Sequence, residues 1–421
     1  MPCLIKNTNL VGYFIFMRNR LFLLLIGIIT ISACHTTPTE LQTGIWRGVL
    51  TMKTGDELPF NFEVKGKGPK QQLTIFNGAE EFPVDDVRLV DDSVFIKMPL
   101  FDSEFKLKQA DGKLVGKWVK HLAQKDSELD FVATPGQDWR FFEKPETAKA
   151  NVGGRWSAVF TSDGVRDTTV GEFKQDGNKV TGTFLTTTGD YRFLEGTING
   201  DKLYLSCFEG GHAFLFSADV KDSVTLVNGK FGTDTWEAVK KSDAKLPDAY
   251  SLTALKPGFK KLDFTFKDID GKPVSLTDDR FKGKVVIVQF MGSWCPNCMD
   301  ETAYLVNYYK KYQPKGVEIV GLAYERTTDF ERSKKTLTQL KDRFDIPYPL
   351  LITGFTNDKK ETAKSLPMLA NFLAFPTTII IDKKGDVRKI HTGFSGPGTG
   401  EHYVEFVNEF EKLTDDLLAE K

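Results

Sequence analysis

Val285-Val286-Ile287-Val288-Gln289-Phe290, followed by Gly292-Ser293-Trp294 and Cys295-Pro296-Asn297-Cys298, decides the fold of the C-terminal part of this chain. The first run is almost continuously apolar, which suits a central strand buried on both faces. Gly292 to Trp294 leaves the strand. Pro296 fits the first turn of a helix, where a missing N–H costs nothing. The helix is predicted to run through Ala303, Leu305, Val306, Tyr308 and Tyr309 to about Tyr312, with Pro314 and Gly316 stopping it.

The flanks continue an α/β pattern. Phe264-Thr265-Phe266 and Val274-Ser275-Leu276 surround Asp270-Gly271-Lys272 as a β-hairpin does. Strands are predicted at 317–323, 348–353, 377–382 and 387–393, the last two joined by Lys383-Lys384-Gly385-Asp386. Helices are predicted at 330–344, 358–372 and 402–419. The last carries Tyr403, Phe406, Val407, Phe410, Leu413 and Leu417 on one side.

Thiol exchange needs a thiolate attacker and a second thiol close enough to resolve the mixed disulfide. A CxxC at a helix start supplies both. Cys295 sits where the helix dipole and free N–H groups favour negative charge, which lowers a thiol pKa. Cys295 is therefore the expected nucleophile and Cys298 the resolving thiol. Half of a zinc site is the alternative, but the chain has no second CxxC and no paired histidines. The Pro-x-x-x-Thr-x-x-Cys pattern of peroxiredoxins is also absent.

Gly292-Ser293-Trp294-Cys295-Pro296-Asn297-Cys298, together with Phe375-Pro376-Thr377-Thr378 before a β-rich run, resembles the TlpA/ResA-like thiol–disulfide oxidoreductases of the thioredoxin superfamily. The resemblance covers residues 258–421 and implies a thioredoxin fold. It implies that Pro376 is a cis-proline facing the CxxC, and that Trp294, Pro296, Asn297, Phe375 and Thr377 form the substrate-binding surface. Ordinary thioredoxins carry a buried acid six residues before the first cysteine; here that position is Gln289, which cannot titrate. Glu301 matches a position where ResA-like proteins carry a buried acid near the resolving thiol, so it is the expected proton partner of Cys298. The alternative is a surface glutamate beside Asp300. No cofactor and no metal are expected. The implied activity is reduction of exported protein disulfides, with apocytochrome c or other thiol proteins as partners and a membrane thiol carrier as electron donor.

Residues 41–245 read as strands throughout. Phe60, Phe62 and Val64 alternate with Asn61 and Glu63. Val94, Ile96 and Met98 repeat the period of two, as do Phe105 and Leu107. Asn199-Gly200-Asp201, Asp111-Gly112 and Asp176-Gly177-Asn178 are turn signals. The region looks duplicated at an offset of about 110 residues. Gly44-Ile45-Trp46 pairs with Gly154-Arg155-Trp156, and Phe101-Asp102 with Phe208-Glu209. Asp111-Gly112-Lys113-Leu114, followed by Trp118, pairs with Asn228-Gly229-Lys230-Phe231, followed by Trp236. The predicted fold class is thus mixed. An antiparallel all-β region of two barrel- or sandwich-like units, 44–148 and 149–245, precedes a linker at 246–257 and the α/β thioredoxin fold at 258–421. The β region resembles an accessory region of some exported family members, and the resemblance implies no role for it.

The N-terminus reads as a targeting segment. Arg18 and Arg20 precede an uncharged apolar run from Leu21 to Ile31, too short for a membrane-spanning helix. Ile31-Ser32-Ala33-Cys34 resembles the bacterial lipobox, so residues 1–33 are expected to be a signal peptide, Cys34 the lipidated residue and 34–43 a tether. A plain anchor, or cleavage without lipidation, is the alternative, and Met1 and Met17 are both possible starts. The expected location is the cell envelope, lipid-anchored and facing the periplasm. Of the five cysteines, Cys3 falls in the removed segment and Cys207 is left as a small buried residue. A net charge of −1 gives no basic footprint for nucleic acid. Two other functions fit less of the sequence. One is a copper metallochaperone using Cys295, Cys298 and His391. The other is a ligand-binding lipoprotein whose β region carries the main function.

Overall fold

The structure, a computed structural model, describes residues 40–122 and 124–420. The readings made on residues 1–39 (signal peptide, Cys34, most of the tether) lie outside the described residues. No helix among the described residues is long and apolar enough to cross a membrane.

The first β unit is a nine-stranded antiparallel sheet: β1 (Gly44–Thr51), β2 (Glu57–Lys65), β3 (Gln72–Asn77), β4 (Glu80–Val84), β5 (Asp86–Val90), β6 (Ser93–Lys97), β7 (Ser103–Ala110), β8 (Lys113–Lys120) and β9 (Ser127–Pro135). Its order is β4-β3-β2-β1-β9-β8-β7-β6-β5, so the first strand pairs with the last and the sheet lacks only a β4–β5 pairing to close. The second unit repeats the scheme with β10 (Gly154–Ser162), β11 (Val165–Asp176), β12 (Lys179–Thr186), β13 (Gly189–Asp190), β14 (Leu194–Asn199), β15 (Lys202–Phe208), β16 (Ala213–Asp222), β17 (Thr225–Phe231) and β18 (Asp234–Lys240). Here β10 pairs with β18 and β11 with β12, which closes a barrel.

Alternation builds these barrels. In β1, Trp46, Gly48 and Leu50 turn inward. Gly48 leaves room for the stacked Phe60 and Phe131 rings: an added Cβ would lie 2.8 Å from Phe131. The two tryptophans of the duplicated start behave alike. The Trp46 indole donates to the Gln42 carbonyl and the Trp156 indole to the Val152 carbonyl, both at 2.8 Å. Phe101-Asp102 and Phe208-Glu209 also correspond, each at or within the loop after the sixth strand of its unit. The third proposed match fails. Asp111-Gly112 is a hairpin turn with positive φ at both residues, whereas Asn228-Gly229 lies inside β17 at a register shift. Gly229 lies flat against the Trp236 ring, with no space for a Cβ.

The two units share a core. Phe208 of the second stacks on Phe60 at 4.5 Å and meets Phe105 and Trp118 of the first. Buried Arg140 ties them further, donating to Ser206, Asn77 and the Phe76 carbonyl.

The C-terminal sheet contains β19 (Thr265–Asp268), β20 (Pro273–Ser275), β21 (Val285–Met291), β22 (Val317–Glu325), β23 (Leu350–Thr356), β24 (Thr377–Ile381) and β25 (Val387–Thr392), in the order β20-β19-β23-β22-β21-β24-β25. β21 runs parallel to β22 and antiparallel to β24, and every residue in it is buried. Helices α1 (Pro296–Tyr312), α2 (Phe330–Phe344), α3 (Lys359–Ser365) and α4 (Glu401–Ala419) complete the thioredoxin fold. The helix predicted at 358–372 is cut to α3. Leu366 precedes Pro367, and the proline ring drives its neighbour out of the helical region (φ −132°, ψ 79°). Residues 246–257 are anchored to the fold at several points along their length. Leu246 joins Val170, Leu185 and Ala244, the Thr253 hydroxyl meets that of Thr392 at 2.7 Å, and Leu255 bridges to Leu369.

Candidate active site

Cys295 is the N-cap of α1 and Pro296 its first residue. The Cys298 N–H donates to the Cys295 sulfur at 3.2 Å. An acceptor sulfur at that position is where a helix N-terminus best stabilises a thiolate. Cys295 and Cys298 are joined by a disulfide; Cys298 is fully buried and Cys295 is 4% exposed. The sequence-predicted cis peptide is present at Phe375–Pro376.

Trp294 links the two motifs. Its ring meets Phe375 edge-on at 5.4 Å, and its indole donates to the Tyr324 carbonyl at 2.9 Å. Phe375 itself packs on Phe372 and Tyr324. Thr377, predicted to face substrate, is a correction. It is fully buried and its hydroxyl donates to the Ala374 carbonyl at 2.7 Å, so its side chain braces the cis loop from inside.

Beneath the disulfide lies a polar group inside the core. Glu301 is 1% exposed and accepts from the Thr378 hydroxyl at 2.6 Å and from the Gln289 amide at 2.8 Å. That amide also reaches the Cys298 carbonyl at 3.5 Å and Thr302 at 3.2 Å. Gln289 therefore connects the carboxyl to the backbone of the second cysteine. Burial pushes the Glu301 carboxyl up to about 7, more than its two hydrogen bonds pull it down. Such a group exchanges a proton readily near neutral pH.

Asp300 is not a surface residue beside it. Its side chain is 15% exposed and ion-paired to Arg192 of the second barrel. Burial raises its carboxyl to about 6 against the pull of that arginine. His391 sits between Tyr250 and Phe406, with Nδ1 at 2.9 Å from the Gly393 carbonyl, and burial pushes its imidazole down to about 4. Cys207 is free and buried, with its thiol raised by burial. Among the described residues no group of three or more His, Cys, Asp or Glu side chains could hold a metal ion.

Several residues at the site escaped the sequence reading. Buried Glu325 accepts from the Ser293 N–H at 2.8 Å and its hydroxyl at 2.7 Å, fixing the loop into Trp294. The Arg326 guanidinium lies 5.5 Å from the centre of the Trp294 ring. Glu and Arg at the end of an apolar strand are the available signal; the strand expected at 317–323 runs two residues further, to Glu325. Arg192 reaches Asp300 and Glu80 from another domain, and nothing local in the sequence marks it.

Residues 257–390 match the AhpC/TSA family. The thiol–disulfide oxidoreductase ResA of Geobacillus thermodenitrificans is 33% identical over 141 residues, which are 34% of this chain and 72% of that protein. The chain belongs to the ResA-like thiol–disulfide oxidoreductases. The thioredoxin-like protein YneN of Bacillus subtilis is 32% identical over 33% of this chain and 73% of its own length. A thioredoxin-family thiol:disulfide interchange protein of Chlorobium tepidum aligns over 39% of this chain and all of its own, at 21% identity and a TM-score of 0.29. As a ResA-like enzyme of the thioredoxin superfamily, this oxidoreductase carries an N-terminal β region more extensive than its redox domain.

Proposed function

We propose that this oxidoreductase reduces disulfides of exported proteins through Cys295 and Cys298 while lipid-anchored at Cys34 outside the cytoplasm. One arrangement carries the reading: a CxxC at the start of α1, tied through Trp294 to the cis-Pro376 loop and backed by buried Glu301.

The Cys295 thiolate attacks one sulfur of the substrate disulfide. That S–S bond breaks, and the other sulfur leaves as a thiolate and takes a proton. Cys298 loses its proton towards Glu301 and attacks the Cys295 sulfur, which frees the second substrate thiol. The substrate gains two electrons and two protons, and Cys295–Cys298 ends as the disulfide. A membrane thiol carrier then returns the electron pair. Trp294 and Phe375 flank the CxxC and Pro376 holds the facing loop, whereas Asn297, expected on the substrate-binding surface, is bound through its amide to Asp190 of the second unit and serves as a docking contact instead.

The test is insulin or model-disulfide reduction. Cys295→Ser is expected to abolish it, and unchanged turnover in that variant would sink the reading. Cys34→Ser should move the protein from the membrane fraction to the soluble fraction of the cell envelope; a variant that stays on the membrane would reject the lipid anchor.

A further inference from the structure

The second barrel covers one side of the redox motif. The stretch around β13 lies on Pro296 and Asn297. With the Asn297 amide oriented to its partners, it donates to the Asp190 carbonyl at 3.2 Å and accepts from the Asp190 N–H at 2.8 Å. Gly189 has no room for a Cβ against the same amide. Asp190 also accepts from the Gly396 N–H at 2.7 Å, and Arg192 reaches Asp300 and the Pro296 carbonyl. The second barrel thus closes the Pro296 and Asn297 side of Cys295, and Trp294 and Arg326 lie beyond it on the other side.

On that side a cavity of about 1220 Å³ opens between the two β units, with Arg326 and Asn357 of the redox domain in its wall. Arg326 is shared with a small pocket that holds Trp294, Phe101 and Ser293. The cavity exceeds the ~300–1,000 Å³ typical of small-molecule sites. Its wall carries Arg47, Lys53, Lys120, Lys125, Lys230 and Arg326 against Asp56 and Glu57 only. Apolar surface comes from Phe141 and Phe142, both packed on Tyr204, and from Leu215 and Trp118. Trp118, 5% exposed, forms the floor of the cleft with its ring packed edge-on against Phe208.

We infer that this cleft is the docking groove for an acidic, aromatic- or leucine-bearing segment of the substrate protein, seated so that its neighbouring disulfide reaches Cys295 past Arg326. The inference rests on the redox reading above and names the substrate class for it. Excess positive charge on an open apolar groove both steers and selects acidic chains.

Two measurements on the full chain test it. The first is fluorescence anisotropy with cysteine-free, dye-labelled peptides, one alternating Glu with Phe and Leu, the other with Lys in place of Glu. The acidic peptide should bind, more weakly as salt rises, and the Lys53→Glu/Lys230→Glu double variant should bind it at least about tenfold more weakly. Equal binding of both peptides, or an unchanged affinity in the variant, would overturn the groove. Tight binding of small organic anions that excludes the peptide would overturn it also, in favour of a small-ligand site. The second compares KM and kcat for disulfide peptides with acidic and basic arms. The acidic arm should lower KM with kcat held, and the double variant should erase that preference. Peptide binding requires no thiol, so it persists in Cys295→Ser. Loss of the redox reading and loss of the groove therefore give different results.

Discussion

In the β region, Arg140 and Arg192 are buried with carboxylates beside them. Arg140 meets Glu195 at 3.5 Å, and Arg192 sits between Glu80 and Asp300. In the redox domain, Glu301 and Glu325 are buried with neutral donors: Thr378 and Gln289 for one, Ser293 and Thr336 for the other. The consequences differ. Burial alone would lower the Arg192 pKa, but Asp300 and Glu80 more than offset it, so this cation never gives up its proton. Glu301 has no such counter-charge and is left poised at about 7. Paired buried charges fix how the second barrel sits on the CxxC helix, while a carboxyl satisfied by neutral donors keeps a proton that can move.

Breaking the paired side should have the larger effect. Arg192→Ala leaves Glu80 and Asp300 facing each other without their cation, and removing one partner from a buried ion pair typically costs about 3–5 kcal/mol. Urea unfolding should report a loss of that order. Alkylation of the reduced protein should label Cys295 faster, because the stretch around β13 loses its tie to Pro296 and Asp300. Wild-type stability and labelling in this variant would show that the ion pairs do not hold the cover.

The unpaired side has a pH signature. The Glu301 pKa is about 7 in the folded protein against an ordinary value of 4.5. Between those values the folded state binds more protons than the unfolded state, so this carboxyl makes stability fall as pH rises through the window. The fall totals about 3 kcal/mol and is complete above the folded pKa. Glu301→Gln removes that component of the slope, measured by urea unfolding between pH 4 and 8. It should also flatten the inflection near neutral pH in the exchange rate. An unaltered rate profile would reject a proton role for Glu301.

Legibility followed locality. The strand at 285–291, the cap at Cys295, the stop at Pro314 and the hairpin around Gly385 are set by neighbours in sequence, and their bounds were readable there. Burial of Glu301 was suggested only by family resemblance, because its partners Gln289 and Thr378 lie on two different strands. The false match of Asn228 with Asp111 shows the limit of short repeats: the same dipeptide type makes a hairpin in one unit and a bulge in the other, where Trp236 presses on Gly229. Arg192 was invisible because its role arises from docking of separate domains. The cover over Asn297 and the basic cleft have the same origin.

The central claim is that Cys295 attacks and Cys298 resolves. The most direct measurement is mass spectrometry of reduced Cys298→Ser after mixing with a disulfide-bearing protein. The account predicts a stable mixed disulfide on Cys295 and none on Cys207, which is buried and keeps its proton. An adduct on Cys207, or no adduct from a variant whose wild-type parent turns over the same substrate, would contradict it.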